Sequence, residues 1–219
     1  MDIRAKMAHE DVHGGQDEAR RHRIPLPDDA AVSAALKGAP LPLRRAAETG
    51  HLINVFRMLM YSPVIGVEVA RLAAAIFASS ALTDIDRKLA ILACGTCFQA
   101  PYEASRHQPI SRAVGVTSEQ RAALAARRWN AGCFTQAQQA LLAFVAAVAA
   151  TPAVPDAAFN AIRRYYSDRQ IIETITLTGN YFLIARLTTV LGIPLDLPTD
   201  DAVLRTNRAP AQQPPGHYR

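Results

Sequence analysis

The sequence has no long apolar run. Its longest, Leu141–Ala150, is mostly alanine and stops at Thr151-Pro152. That is well short of the roughly 20 residues a bilayer-spanning helix requires. The N-terminus, Met1-Asp2-Ile3-Arg4-Ala5-Lys6, leads into Glu10-Asp11 and Asp17-Glu18 and has no apolar signal core. Cysteine is scarce: three in 219 residues, an odd number, do not make a disulfide framework. With no export signal, a reducing cytosol and a cytoplasmic location are expected. Aromatics make up only 6% and do not interleave with the basic residues, as they would in a single-strand nucleic-acid binder. Nor is there a sustained Val/Ile/Thr alternation of the kind strands show. No P-loop, dinucleotide-binding glycine pattern or GxSxG elbow occurs, so no cofactor is expected.

What is present is a chain that is 50% hydrophobic and 20% charged, too apolar for a disordered protein. One domain with tails fits the length. Such a domain buries roughly two-thirds of the surface its unfolded chain exposes and requires no staple. The net charge of +5 comes mostly from arginines scattered at helical spacing; the densest groups are Arg20-Arg21-His22-Arg23 and Arg127-Arg128. Solubility accounts for them better than nucleic acid does. Residues 1–23 read as a flexible polar tail, 24–197 as an alanine- and leucine-rich domain, and 198–219 as a flexible Pro-rich tail.

Helix starts can be read directly. Thr117 with Gln120, Thr135 with Gln138 and Ser167 with Gln170 each form a capping-box pattern, and Thr83-Asp84-Ile85-Asp86 is a weaker version. Pro155-Asp156 suits a first turn. Gly115, and Gly192 with Pro194 beyond it, read as stops. The expected fold class is all-α, with helices near 30–37, 42–59, 64–80, 84–107, 118–128, 136–150, 156–165 and 168–191. Pro101 should kink the long segment 84–107 or break it in two. A faint echo, Asp86-Arg87-Lys88-Leu89 against Asp168-Arg169-Gln170-Ile171, suggests two related helical units.

Candidate chemistry is sparse. Of six histidines, His9, His13, His22 and His217 fall in the tails, leaving His51 and His107 in the domain. Glu103 precedes His107 by one helical turn, so the two share a face. A carboxylate beside an imidazole suits general acid–base work; an ordinary surface pair is the plainer alternative. Cys94-Gly95-Thr96-Cys97 is a CxxC, read as mid-helix in an apolar run, where cysteines act as small hydrophobes rather than thiolates. No second Cys or His pair follows at ligand spacing, so no metal site is expected, and Cys133 stands alone. Arg87, Lys88, Arg106 and Tyr102 are candidates for binding an anion near His107, with a solvated helix face as the alternative. Tyr181 and Arg186 are polar groups in an otherwise apolar last helix. His51 and Asn54 mark a helix start or line a pocket.

Taken in order, these residues form a pattern. Asp86 through Ala93, Tyr102-Glu103-Ala104-Ser105-Arg106-His107 and Arg112 through Thr117 resemble the carboxymuconolactone decarboxylase family, whose superfamily includes the alkylhydroperoxidase-D-like (AhpD-like) enzymes. The flanks agree: Arg23-Ile24-Pro25-Leu26-Pro27, Asn54-Val55-Phe56-Arg57, Tyr61-Ser62-Pro63, Tyr166-Ser167-Asp168-Arg169, and Tyr181 through Leu195. The resemblance spans about residues 23–197 and implies an AhpD-like helical bundle and a homo-oligomer, often a trimer or hexamer.

The resemblance implies two chemistries. The superfamily's thiol peroxidases carry a CxxC ending four residues before the helix histidine, and a glutamate near the start of that helix. Those positions fall here on Ala100, Glu103 and Lys88, and Cys94 and Cys97 sit about two turns too early. The lactone decarboxylases usually carry a glutamate four residues before the histidine, as Glu103 and His107 stand here. Tyr181 resembles a tyrosine of that branch, while a second histidine of the branch falls on Leu177. The expectation is a cofactor-free enzyme acting on a small carboxylated lactone or related carbonyl compound. In it His107 is the acid/base, Glu103 orients it, and Arg106, Lys88, Arg87, Tyr102 and Tyr181 bind substrate. The alternatives are a thiol peroxidase using Cys94 and Cys97, and a ligand-binding member without catalysis. No membrane or nucleic-acid partner is expected.

Overall fold

A computed structural model describes residues 23–37 and 39–196. Apart from Arg23, whose N–H donates to Leu191 O at 2.9 Å, the expected tails lie outside the described residues, as do His9, His13, His22 and His217. Among the described residues there are ten α-helices and no strand: α1 Asp29–Ala35, α2 Leu41–Glu48, α3 Asn54–Leu59, α4 Pro63–Ala78, α5 Asp84–Cys97, α6 Pro101–Ala113, α7 Ser118–Ala125, α8 Gln136–Ala150, α9 Asp156–Ile162 and α10 Asp168–Leu191. No helix among them is long and apolar enough to cross a membrane.

The caps form as their side chains dictate. Thr117, Thr135 and Ser167 each accept from the backbone N–H three residues on, and Gln120, Gln138 and Gln170 reach back to the cap. Thr83 accepts from the Asp86 N–H without the reciprocal half. Each such cap stabilises its helix by about 1 kcal/mol. α10 ends at Gly192 in the left-handed region, φ 62°, where the absence of a Cβ removes the steric penalty.

Two segments expected as single helices are each divided. Residues 42–59 split into α2 and α3, because Gly50 turns left-handed at φ 71° and His51–Ile53 run on without helix. Residues 84–107 split at Pro101, which starts α6 at a position where its missing N–H is no loss. Gln99 takes the left-handed conformation, φ 53°. The Ala100 N–H then bonds Gly95 O at 2.9 Å, the closing bond of a Schellman turn. Two placements therefore change. Cys94 and Cys97 lie in the last turn of α5 rather than mid-helix, and His107 lies inside α6 rather than at a helix end. α6 also continues through Pro109 to Ala113. The echo residues hold different positions: Asp168 opens α10, whereas Asp86 is the third residue of α5.

α5 is the hub. Leu89, Ala90, Ile91 and Ala93 are fully buried, the mark of a helix covered on every side. It packs against α6, α7, α8 and α10; α8 carries α9, and α10 also packs on α3, α4 and α6. Gly66 lets α4 approach the end of α3, because a Cβ there would come within 2.8 Å of the Leu59 carbonyl oxygen. The approach brings α3, α4, α6 and α10 together around a cavity.

Candidate functional site

The cavity holds about 260 Å³. α4 lines it with Ala70, Ala73, Ala74 and Phe77, a spacing that puts all four on one helix face. The three alanines leave the space and Phe77 closes one end. α6 contributes Tyr102, Glu103, Arg106, His107 and Ile110 by the same periodicity, and α10 contributes Asn180, Tyr181 and Ile184. Val55 and Phe56 of α3 complete an otherwise apolar wall. A second cavity of about 290 Å³ shares Leu43, Ile53, Phe56, Ala70, Ala74 and Arg106 with the first and extends it to His51.

The polar groups meet at the α6–α10 side. The Tyr181 hydroxyl and His107 Nε2 are hydrogen-bonded at 3.0 Å. Glu103 Oε2 lies 3.8 Å from the same nitrogen, too far for a hydrogen bond but close enough to feel its charge. Glu103 and His107 are 4% and 7% exposed. Glu103 Oε1 and His107 Nδ1 are buried and have no hydrogen-bond partner, and the same holds for Asn180 Oδ1. Leaving such atoms unpaired is costly, and a bound ligand or water can supply the missing partner.

Burial sets the charge states. It pushes the Glu103 carboxyl up to about 7, with Arg106 opposing and Asp196 assisting. It holds His107 well below the usual imidazole range, and the positive charges of Lys88 and Arg106 deepen the effect. It raises the Tyr181 phenol well above its ordinary range. At neutral pH the imidazole is an uncharged base and the phenol is uncharged, while the carboxyl is poised between its two forms.

The sequence-predicted residues divide into two groups. Tyr102, Glu103, Arg106, His107 and Tyr181 all line the cavity. Arg87 and Lys88 are not on a solvated face; both are buried beside Phe77. Arg87 pairs with Asp84 and stacks 5.6 Å from the Phe77 ring. Lys88 Nζ lies 4.4 Å from the same ring centroid and has no hydrogen-bond partner. Burial pulls its ammonium down to about 7, with Arg87 adding repulsion. The Phe77 ring, in turn, stacks at 12° to the His107 imidazole, centroids 6.3 Å apart. Arg186 is exposed and lies over Phe182. His51 is exposed at the outer cavity.

Asp196 and Phe77 are functional neighbours that sequence reasoning missed. The Tyr102 hydroxyl donates to Asp196 Oδ2 at 2.7 Å, and the Asn54 N–H donates to Asp196 Oδ1 at 2.7 Å. Arg106 sits 3.8 Å from the same carboxylate. The segment after α10 is thereby pinned over α3 and α6, and Arg106 is held at the cavity wall. Asn180, beside Tyr181 in an apolar helix, carried the same signal as its neighbour and was not singled out.

The thiols are placed differently. Cys94 is fully buried, and burial raises its thiol far above the ordinary range. Burial raises Cys97 as well. Both lie at the C-terminal end of α5, where the helix dipole disfavours a thiolate. Among the described residues no group of three or more His, Cys, Asp or Glu is arranged to hold a metal.

No protein-family model and no curated protein matches this chain. Solved structures do. A debrominase in complex with a tribromopyrrole superposes with a TM-score of 0.67 at 19% identity, covering 85% of this chain and 96% of that one. A peroxidase-related protein from Ralstonia eutropha, described as an alkylhydroperoxidase AhpD core, gives 0.65 at 22% identity, covering 86% and 97%. A peroxidase-related protein from Silicibacter gives 0.63 at 16% identity, covering 81% and 90%. The fold is AhpD-like. Within that fold, the α4–α6–α10 cavity brings together the buried Tyr102, Glu103, His107 and Tyr181.

Proposed function

We propose that the cavity is the active site of a cofactor-free enzyme that moves a proton, or releases carbon dioxide, at the carbon next to a carbonyl. The substrate is a small carboxylated lactone or related carbonyl compound. One observation carries this reading: Glu103 Oε1 and His107 Nδ1 are both buried without partners in a mostly apolar cavity. Neutral His107 takes the proton on its unpartnered Nδ1, in the tautomer whose Nε2–H donates to the Tyr181 oxygen and so holds the ring. Glu103, 3.8 Å away, stabilises the imidazolium as it forms. Arg106 at the wall meets the substrate carboxylate. The apolar lining favours a hydrophobic substrate body. In keeping with the resemblance, the enzyme would work as a cytoplasmic homo-oligomer, a trimer or hexamer.

The test is carbon dioxide release from a carboxymuconolactone by the wild-type chain and by His107→Ala and Glu103→Gln. Release that falls at least 100-fold in His107→Ala supports the mechanism. Undiminished release from that variant ends it. No release from any chain turns the search to other carbonyl acids, by deuterium exchange at the carbon beside the carbonyl.

A further inference from the structure

Lys88 has the largest side chain among the fully buried residues, and it is 2% exposed. Its Nζ has three hydrogen-bonding positions and no partner for any of them. A lysine that served only packing would be better replaced by methionine or leucine, because burying an unpartnered amine stabilises nothing. The ring that covers it, Phe77, also forms part of the cavity wall. Phe77 sits in the last turn of α4 and is only partly buried. Its ring centroid lies 4.4 Å from Lys88 Nζ and 6.3 Å from that of the His107 imidazole, so joining the amine to the space beside Glu103 and His107 requires that ring to be displaced.

We propose that Lys88 is a covalent nucleophile that forms a Schiff base with an aldehyde or ketone substrate bound in this cavity. The inference rests on the acid–base reading above and names its substrate class: compounds with an electrophilic keto or aldehyde carbon, more than esters or lactones.

The chemistry balances within the site. The neutral amine adds its lone pair to the carbonyl carbon, and the C=O π pair moves to oxygen. The oxygen takes the Glu103 proton, giving a hydroxyl, and the new ammonium returns a proton to the Glu103 carboxylate. Glu103 then protonates the hydroxyl, which leaves as water while nitrogen forms the C=N⁺ bond. The iminium draws electrons from the adjacent C–H or C–COO⁻ bond, giving a neutral enamine while His107 takes the proton or carbon dioxide leaves. A proton then returns to that carbon, and water hydrolyses the re-formed iminium to the carbonyl product and the free amine. The groups around the amine favour its neutral form. Arg87 and Arg106 repel a proton there, Asp84 alone attracts one, and burial removes the water an ammonium requires. His107, also near, is neutral.

The experiment uses the full-length protein with phenylpyruvate and cyanoborohydride at pH 7, followed by digestion and mass spectrometry. The hydride reduces an iminium to a stable secondary amine. The chain has three lysines, Lys6, Lys37 and Lys88, so the site of the adduct reads directly. Lys37 is exposed and serves as the internal comparison. The expected result is an adduct on Lys88 forming at least about 10-fold faster than on Lys37, and faster again in Phe77→Ala. Adducts confined to Lys6, Lys37 and the N-terminal amine, in both wild type and Phe77→Ala, overturn the proposal. Deuterium exchange at the probe's CH₂ is followed in parallel. Exchange that depends on Glu103 with Lys88 unlabelled removes this inference and leaves the acid–base reading standing. Labelling of Lys88 without catalysed exchange does the reverse.

Discussion

The Tyr181 hydroxyl and His107 Nε2 lie 3.0 Å apart across 74 residues of sequence. The contact joins α10 to α6 and commits one of the two imidazole nitrogens. Removing the hydroxyl frees that nitrogen without changing the shape of the pocket. Tyr181→Phe is expected to lower kcat about 10- to 100-fold while KM changes little, since the lost contact acts on the base more than on the substrate. Stability should fall by about 1–2 kcal/mol, the usual effect of leaving a buried polar group unpaired. Steady-state kinetics and urea denaturation of the same variant separate the two effects.

Glu103 and Lys88 tie stability to pH with opposite signs. The carboxyl binds its proton more tightly in the folded chain, up to about 7 against an ordinary 4.5. Its ionisation therefore weakens the fold progressively as pH rises from 4.5 to 7, and by a constant amount above. Glu103→Gln removes that penalty. The variant should gain about 1–3 kcal/mol over wild type between pH 4.5 and 8, measured by urea denaturation at both ends.

Lys88 holds its proton less tightly in the folded chain, about 7 against 10.5. The fold loses stability as pH falls from 10.5 to 7, fully so below 7. Lys88→Met should therefore stabilise the protein by about 2–4 kcal/mol at pH 7, and by progressively less toward pH 10. An unchanged difference between pH 7 and pH 10 would show that the amine titrates normally.

Burial and the C-terminal end of α5 should leave Cys94 unreactive. In a thiol titration before and after mild peroxide, Cys94 is expected to survive in the native protein and to react only on denaturation. Rapid, reversible loss of two thiols would instead point to Cys94 and Cys97 as a redox pair. Replacing both with alanine should leave proton-transfer activity within about 3-fold of wild type and cost about 1–2 kcal/mol in packing.

α10 exposes Ile172, Ile175, Phe182, Leu183 and Val190. An apolar stripe of this extent on the longest helix fits the homo-oligomer that the resemblance implies. Light scattering of wild type should give a multiple of 23.7 kDa, and Ile172→Glu with Ile175→Glu should shift it toward the single chain. A wild-type mass of one chain would remove the oligomer.

The helices and most of their starts were legible in the linear chain. Thr117, Thr135 and Ser167 act on amides three residues away, so their effect is local and visible in a linear reading. That Glu103 and His107 share a helix face was legible too, because it follows from 3.6 residues per turn. The breaks were less legible. Gln99 adopts a left-handed turn without being glycine, and α6 carries Pro109 inside it, so neither position bears the residue type that usually marks its conformation. The burial of Arg87 and Lys88 emerges only from the packing of α5, since a charge in an amphipathic pattern reads as solvated until the helix is known to be covered on every side. Tertiary packing alone brought Tyr181 to His107, Phe77 to Lys88 and Asp196 to Tyr102. Burial and long-range contact depend on how helices pack, and side-chain spacing along one helix carries no information about what its neighbours place opposite.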